Sequence, residues 1–289
     1  MKVRKAVIPA AGLGTRVLPA SKAVPKEMLP IVDKPAIQYI VEEAVAAGIT
    51  DILIITNRGK AVIEDHFDRA PELEERLLAG NKTALYESVV EASKLANIFF
   101  LRQKETRGLG HAVNCAREFI GDEPFAVLYG DDVILGDVPA TKELCEAYEK
   151  YEKCDVGIKQ VTPEAILKYC TLKVDPLGNN TFAVSDMIEK PKPEQILSLY
   201  SILGRCVLTP EIFDTLDNTA PGAGGEIQLT DAIRTLTLRD GAIGVEFSGT
   251  RYDMGNKLGI MQANVETALR HAEIGEDFKA YLKQLAATL

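Results

Sequence analysis

The sequence predicts an α/β protein whose core is a Rossmann-like, mixed and mostly parallel sheet flanked by helices. Nearly all-apolar runs, such as those at 51–56 and 125–129, are typical of strands that a parallel sheet buries on both faces. Between these runs, apolar residues recur at helical spacing, so strands and helices alternate. Such alternation indicates βαβ units, in which each helix connects two parallel strands.

The first of these units lies at the N-terminal end of the chain. Val3–Ala10 is predicted as a buried strand that runs into a glycine-rich turn. A helix is predicted to begin with Asp33 as its N-cap and Pro35 in its first turn, and to end before Gly48. The strand at 51–56 then completes the unit.

The remaining pattern divides the chain into a main domain and a helical C-terminus. Further helices are predicted at 61–67, 71–95, 112–119 and 140–153, and strands at 98–102 and 125–129. Prolines and short apolar runs in 155–204 predict a smaller β-rich sheet region that covers the strand ends of the first sheet. We therefore predict a domain of residues 1–257, which includes this region, and C-terminal helices in 258–289 as a possible oligomer contact.

Composition and charge exclude several classes of protein. The 289 residues are 46% hydrophobic and carry a net charge of −9, which argues against a nucleic-acid-binding protein, since that needs a basic face. Five cysteines without a CxxC pair indicate neither a zinc site nor a disulfide framework and predict a cytoplasmic protein. No run approaches the roughly 20 apolar residues of a membrane span, so we expect no membrane association.

The glycine-rich turn after the first strand is the first candidate site. Gly12 and Gly14 would let backbone N–H groups approach phosphate oxygens, and Arg16 would add a guanidinium that grips phosphate. Val17 stands where a dinucleotide-binding fingerprint needs a third glycine, and the turn is not a P-loop either. The glycines alone are equally compatible with a tight turn that binds nothing.

The loop that follows favours phosphate binding. It carries Lys22, Lys26 and Glu27 together with two prolines, and so charged a loop is uncommon without a function. The run AVIPAAGLGTRVLPASKAVPKEMLPIVDKPAIQY resembles the N-terminal signature of bacterial UTP–glucose-1-phosphate uridylyltransferases, a family of sugar nucleotidyltransferases. Later blocks resemble the same family in the same order: RQKETRGLGHAV, FAVLYGDDV, IEKPKP, LGRCVLTPEIF, GAGGEIQLTDAI and RYDMGNKLG.

Asp131 and Asp132 follow a buried strand, at the edge of the sheet where α/β proteins bind ligands. Two carboxylates beside a phosphate-binding turn suit Mg²⁺, although aspartates also build simple turns. The resemblance implies that Asp131 is a metal ligand and that Asp253, in the block RYDMG, is the second. Mg²⁺ is therefore the expected cofactor.

The resemblance implies the other site residues as well. The residues expected to bind the nucleotide are Ala11, Gly12, Gly14, Glu27, Gln103 and Gly108. The expected catalytic residues are Arg16, Lys26 and Lys190. The residues expected to bind the sugar phosphate are Asp132, Glu189 and Lys190. Without the resemblance, Gln103 would be read as a surface loop residue and the Glu189-Lys190 pair as solvated charges. No chemistry is assigned to the three histidines.

The predicted function is transfer of a uridylyl group from UTP to glucose 1-phosphate, which yields UDP-glucose and pyrophosphate. Alternatives are a related enzyme that uses dTTP or another hexose 1-phosphate, and a non-catalytic homologue that binds a UDP-sugar. Cys170 stands where the family has a glycine, and is expected to crowd the hexose; Leu199 stands where the family tends to have asparagine. The identity of the sugar is therefore left open. The resemblance also implies a homodimer or homotetramer.

Overall fold

The computed structural model describes residues 1–288, and of Ala223 only the backbone. The strands are β1 (Lys5–Pro9), β2 (Pro30–Ile31), β3 (Lys34–Pro35), β4 (Asp51–Thr56), β5 (Asn97–Arg102), β6 (Phe125–Leu128), β7 (Asp132–Leu135), β8 (Asp155–Gln160), β9 (Cys170–Gly178), β10 (Thr181–Glu189), β11 (Tyr200–Leu208), β12 (Ala242–Glu246) and β13 (Thr250–Asp253). The helices are α1 (Ala36–Ala46), α2 (Ala61–Phe67), α3 (Pro71–Ala79), α4 (Thr83–Ala92), α5 (Leu109–Asn114), α6 (Arg117–Ile120), α7 (Ala140–Tyr151), α8 (Pro163–Ile166), α9 (Glu211–Asp217), α10 (Leu229–Asp240), α11 (Lys257–Ala268) and α12 (Gly275–Ala286).

Nine of these strands form one mixed sheet in the order β5-β4-β1-β6-β11-β8-β12-β10-β9. Strands β10 and β11 run against the other seven, so the predicted mostly parallel α/β sheet is confirmed. Along β1, Ala6 and Ile8 face one hydrophobic cluster and Val7 faces the other, because successive side chains of a strand point to opposite faces. Helices cover both faces. Within residues 1–288, no helix has the length and apolar character needed to cross a membrane.

The 155–204 segment is rich in strands, as predicted, but it is not a smaller sheet of its own. Its strands extend the main sheet, because β12 comes from further along the chain and inserts between β8 and β10. The separate two-stranded sheets are instead the ribbon of β7 and β13 and the short hairpin of β2 and β3.

Three predicted helices differ from the observed ones. Asp33 is not an N-cap: the turn of the β2–β3 hairpin uses it, and Pro35 precedes α1 instead. The predicted helix at 71–95 is two helices, because the chain turns at Gly80 and at Asn81, whose φ is +54°. The helix predicted at 112–119 begins earlier, at Leu109, and is likewise divided into α5 and α6. The predicted end of α1 before Gly48 is confirmed.

The site is positioned by one edge of the sheet. Strands β5, β4, β1 and β6 are neighbours and parallel, so the loops that follow all four emerge at the same edge. These loops begin at Ala10, Asn57, Gln103 and Tyr129. The antiparallel ribbon of β7 and β13 returns to this edge, with Asp253 opposite Asp132.

Candidate active site

The glycine-rich turn shapes one wall of the site. Gly14 has φ +68°, a left-handed conformation that glycine adopts without strain, and the Ser21 hydroxyl donates to its carbonyl over 2.6 Å. A short 3-10 helix, Thr15–Val17, then carries Arg16 back towards the sheet edge. A Cβ at Gly12 would come no closer than 3.7 Å to another atom, namely Lys26 Nζ, so this residue leaves open space beside the cation.

Most of the predicted nucleotide residues line one cavity of about 530 Å³. The predicted residues among its lining are Ala11, Gly12, Arg16, Lys26, Glu27, Gln103, Gly108 and Asp131. Gly14 shapes the turn without lining the cavity, and Asp253 joins the group through Arg16. Residues that are far apart in the sequence therefore meet at the strand ends.

Asp131 and Asp253 share Arg16 between them. The Arg16 guanidinium lies 3.5 Å from Asp131 Oδ2 and 3.2 Å from Asp253 Oδ2, and the Lys26 ammonium also donates to Asp131. Gly255 lies against both acids: a Cβ there would be 2.8 Å from Asp131 Oδ2 and 2.8 Å from Asp253 Oδ1. The glycine backbone thus lets two carboxylates from distant segments approach one point.

Opposing effects of burial and charge act on these groups. Burial raises the pKa of Asp131, but Lys26 and Arg16 outweigh it, so that its pKa lies below the usual value. For Lys26, burial lowers the pKa, while Asp131 and Glu27 outweigh that effect and raise it. Both groups are therefore held in their charged forms. Burial raises the pKa of Asp132 to about 6 despite the opposing charge of Arg251.

The donor set at Asp131 and Asp253 fits Mg²⁺. Within residues 1–288, no group of three or more His, Cys, Asp or Glu side chains is placed to hold a metal ion. Mg²⁺ is a hard cation that proteins commonly hold through one or two carboxylates, with substrate phosphates and water completing the shell. The two carboxylates beside Gly255, next to a cavity that is open to a phosphate, match that requirement.

A buried ion pair supports the wall formed by Glu27. The Lys60 ammonium lies 2.9 and 2.8 Å from the two Glu27 carboxylate oxygens and 2.5 Å from the Ala10 carbonyl oxygen. Only 7% of the Lys60 side chain and 1% of the Glu27 side chain are exposed. Asn57 donates to the Ala11 carbonyl from the same loop. The loop after β4 therefore fixes both the glycine-rich turn and Glu27.

Gln103 is held in place at the opposite wall. Its Nε2 donates to the Gly108 carbonyl over 3.2 Å and to His111 Nδ1 over 2.8 Å. Burial lowers the pKa of His111, which favours the neutral ring that this acceptor role requires. Gly108 has φ +103°, and a Cβ there would be 2.8 Å from the Ile227 carbonyl oxygen, so only glycine fits.

The predicted sugar residues lie outside the lining of this cavity. Asp132 is buried against Arg251, with 2.5 Å between Oδ1 and Nη2. Glu189 is half-buried at the end of β10, where burial raises its pKa, and Lys190 follows as an exposed side chain with its backbone N–H on the Tyr169 carbonyl. These three roles remain predictions.

Cys170 was expected to crowd the hexose, but its side chain is buried in the core instead. Its side chain is 2% exposed, and its sulfur lies 3.5 Å from Ser201 Oγ and accepts from the Ile202 N–H over 3.3 Å. Because the thiol packs inside the core, it is not available to contact a hexose. Leu199, the other departure, is partly exposed, and its carbonyl accepts from Val161.

Several residues of the site were missed by the sequence analysis. Asn57 and Tyr129 directly follow β4 and β6, and Lys60 lies in the loop after β4, so their position after a buried strand was a usable signal. His111 lies in a block that resembles the family but was assigned no chemistry. Arg251 precedes Asp253 by two residues and had no signal of its own, since only the ribbon pairing brings it to Asp132.

Comparisons with known proteins show the family to which the chain belongs. The nucleotidyl transferase family model matches residues 5–269. A UTP–glucose-1-phosphate uridylyltransferase of Staphylococcus saprophyticus is 52% identical, with 98% of each chain covered. UTP-bound UGPase from Acinetobacter baumannii superposes with a TM-score of 0.91 at 37% identity, covering 98% of this chain and 99% of that one. UDP-glucose pyrophosphorylase complexed with UDP-glucose superposes with a TM-score of 0.83 at 40% identity, covering 93% and 100%.

Proposed function

We propose that this chain, which belongs to the nucleotidyl transferase family, catalyses the transfer of a uridylyl group from UTP to glucose 1-phosphate, with release of pyrophosphate. Relatives about half identical over nearly the whole chain carry the name of this activity, and similar solved structures hold UTP or UDP-glucose.

One observation carries the proposal: Arg16, Lys26, Asp131 and Asp253 meet beside a cavity whose other walls are the glycine-rich turn and Gln103. The cavity suits a nucleoside, because Gln103 can read a base edge and the turn offers backbone amides. The cations and carboxylates adjoin this cavity, and we expect the triphosphate of such a nucleoside to extend towards them. Binding and charge neutralisation are thereby brought to one place.

The reaction places few demands on acid–base chemistry. The oxygen of a sugar 1-phosphate is already an anion at neutral pH, so its attack on the α-phosphorus of UTP needs no general base. The work of the enzyme is to align two polyanions and to stabilise the charge that develops on the departing pyrophosphate. Arg16 and Lys26 would exchange their carboxylate partners for pyrophosphate oxygens.

The charge balance of the site supports a requirement for Mg²⁺. The paired charges are Arg16, Lys26, Lys60 and Arg251 against Glu27, Asp131, Asp132 and Asp253, which sum to zero. A triphosphate would therefore enter a site with no net positive charge of its own. Asp131 and Asp253 would hold the ion, which when bound neutralises phosphate charge.

The sugar side is assigned to Asp132, Glu189 and Lys190. Lys190 would hold the incoming phosphate as a point charge, and Glu189 would accept hydrogen bonds from hexose hydroxyls. Asp132 follows Asp131, and its N–H donates to the Tyr129 carbonyl over 3.1 Å; Tyr129 and Asp131 both line the cavity. These contacts support a location of Asp132 next to the nucleotide cavity.

A substrate panel tests the proposed function. Pyrophosphate release is measured with UTP, dTTP and CTP, each paired with glucose, galactose or N-acetylglucosamine 1-phosphate, with and without Mg²⁺. UTP with glucose 1-phosphate and Mg²⁺ is expected to give the highest kcat/KM. A higher value for another pair would make the protein a related transferase. No release with any pair, together with binding of UDP-glucose, would identify a non-catalytic homologue.

We also propose a cytoplasmic homodimer or homotetramer. All five cysteines are free in the structure, as expected in a reducing compartment. Tyr281 and Leu285 expose apolar surface on α12, at the C-terminal end that was predicted to make an oligomer contact. Light scattering coupled to gel filtration would test this, since a monomeric mass at micromolar concentration would contradict it.

A further inference from the structure

Arg251 is a partly buried cation to which the proposed reaction gives no role. It lies on β13, and only 15% of its side chain is exposed. Its Nη2 is 2.5 Å from Asp132 Oδ1, and its Nη1 donates to the Tyr169 hydroxyl over 3.2 Å. The guanidinium also lies 5.2 Å from the centroid of the Tyr169 ring. One side chain therefore joins two segments that are distant in sequence.

These two partners lie next to different residues of the proposed active site. Asp132 follows Asp131 directly and begins β7, opposite Asp253. Tyr169 precedes β9, and its carbonyl accepts the Lys190 N–H over 2.7 Å. Arg251 therefore connects Asp132, the neighbour of Asp131, to the backbone that carries Lys190.

Asp132 is a fixed anchor for this connection. A Cβ at Gly204 would lie 2.7 Å from Asp132 Oδ2, so the backbone of Gly204 packs directly against the carboxylate. The Gly204 carbonyl is held in turn by the Tyr129 N–H and the Arg205 guanidinium. With one oxygen against this backbone and the other on Arg251, the carboxylate cannot shift without breaking buried contacts.

We infer that Arg251 is a positioning residue, which sets the distance between the Asp131–Asp132 turn and Lys190 by holding Tyr169. The inference rests on the proposed function. The planar guanidinium serves the carboxylate and the phenol at once through separate N–H groups, which a lysine ammonium at the end of a flexible stem does not reproduce. Loss of this link would loosen the sugar-phosphate half and leave the UTP half, built on β1, β4 and β5, in place.

Steady-state kinetics of R251K and Tyr169→Phe test this inference, with each substrate varied at saturation of the other. R251K is expected to raise the KM for glucose 1-phosphate about tenfold and to change the KM for UTP by less than about twofold. Tyr169→Phe is expected to raise the first KM by a smaller factor. Because both changes remove the same link, the double variant should show less than the product of the two effects.

The matched control is Arg117→Lys. Arg117 also joins carboxylates to an aromatic ring, since it pairs with Asp214 and Asp217 and lies 5.4 Å from the centroid of the Phe213 ring. It does not line the cavity, so both KM values should remain at the wild-type level. Equal changes in the two KM values of R251K, or a lower Tm with unchanged KM values, would show a merely structural role and overturn the inference.

Two further outcomes separate the inference from the proposed function. If R251K does not fold, Tyr169→Phe decides alone, and an unchanged KM for glucose 1-phosphate overturns the inference. If the wild-type protein releases no pyrophosphate, the proposed function fails. Calorimetric binding of glucose 1-phosphate then tests the inference: weaker binding by R251K than by Arg117→Lys supports it, and equal binding or none by the wild type overturns it.

Discussion

The two ends of the proposed active site are built in different ways. At the nucleotide end, the cavity walls come mainly from loops that follow the parallel strands β1, β5 and β6, and the loop after β4 supports them through Asn57 and Lys60. At the proposed sugar end, Asp132 begins β7, which pairs with β13, and Lys190 follows β10, which pairs with β9 and β12, so both positions depend on antiparallel pairing. The nucleotide end is thus a product of local chain order, whereas the sugar end depends on a few individual contacts.

The two ends also differ in how deeply their charged side chains are buried. Lys60 and Glu27 form an almost fully buried pair at the nucleotide end, while the Lys190 side chain is exposed at the sugar end. A buried pair fixes geometry and is costly to break, because either partner left alone is a buried charge without compensation. An exposed cation is held more loosely and depends on the backbone beneath it. Substitutions at the two ends should therefore differ in both stability and kinetics.

The largest effect is expected where the two ends meet. Asp131→Asn removes a carboxylate that pairs with Lys26 and Arg16 and is proposed to bind Mg²⁺. We expect kcat to fall by at least about 10³-fold, with little change in fold, since asparagine keeps the shape. Pyrophosphate release is measured over a range of Mg²⁺ concentrations. The control is Asp137→Asn, at an exposed position after β7; wild-type turnover by Asp131→Asn would contradict the metal assignment.

A substitution at Lys60 should affect the nucleotide end alone. Lys60→Met leaves Glu27 buried without its cation, so the free energy of unfolding should fall by about 3 kcal/mol. The KM for UTP should rise roughly 10–100-fold because the wall and the turn loosen together, with the KM for glucose 1-phosphate nearly unchanged. Kinetics and urea unfolding are compared with Lys34→Met, which breaks a more exposed pair with Glu42. A larger effect on the sugar-phosphate KM would break the distinction between the two ends.

A substitution at Cys170 should have little effect on the sugar end, although it departs from the family pattern there. Cys170→Gly removes a thiol that packs in the core beside Ser201, so the protein should lose about 2 kcal/mol of stability through the cavity and the glycine in a strand. The KM for glucose 1-phosphate should stay within about twofold of wild type. A clear decrease in this KM would instead revive the expectation that the thiol crowds the hexose.

The smallest effect on activity is expected at Asp155, which begins β8 and does not line the nucleotide cavity. Burial raises its pKa well above the usual value, and its Oδ1 accepts from the Val207 N–H over 3.2 Å. Because the folded-state pKa is raised, the carboxyl stabilises the fold fully below the unfolded pKa near 3.8, and this stability is lost as pH rises through the folded-state pKa. Asp155→Asn should remove that loss.

Urea unfolding of Asp155→Asn between pH 4 and pH 9 checks this expectation. The variant should gain about 1–3 kcal/mol over wild type at high pH, with less gain towards pH 4 and unchanged kcat. A gain that does not depend on pH would show that the carboxyl does not titrate in the folded protein over this range.

The comparison of the two ends also explains what the sequence could predict. The Asp131–Asp132 pair and the glycine-rich turn were candidates from the residues alone, because each comes shortly after a buried apolar strand, and the resemblance then favoured Asp131 as the metal ligand. Asp253 follows no such signal, and only the family resemblance identified it. The structure supplies the missing reason, since pairing of β13 with β7 places it opposite Asp132.

The incorrect predictions also concern segments whose strand pairing the local sequence does not reveal. Asp33 has the local features of an N-cap, but the β2–β3 hairpin takes it up, so tertiary pairing overrides the local preference. The strands in 155–204 were recognised as strands, yet nothing within them indicates that β12 will separate β8 from β10. The positions of helices and buried strands can be predicted from periodicity, whereas the order of strands in the sheet beyond β5-β4-β1-β6 cannot.

The insertion of β12 has a consequence for the order in which the molecule is completed. During synthesis, the β9–β10 hairpin leaves the ribosome well before residues 242–246, which are its bridge to the rest of the sheet. Until they arrive, the hairpin has an unpaired edge of the kind that promotes aggregation. In a nascent chain halted before Ala242, the nucleotide half would therefore be in near-final form. The sugar half would still lack β12, the last strand of the sheet to be synthesised.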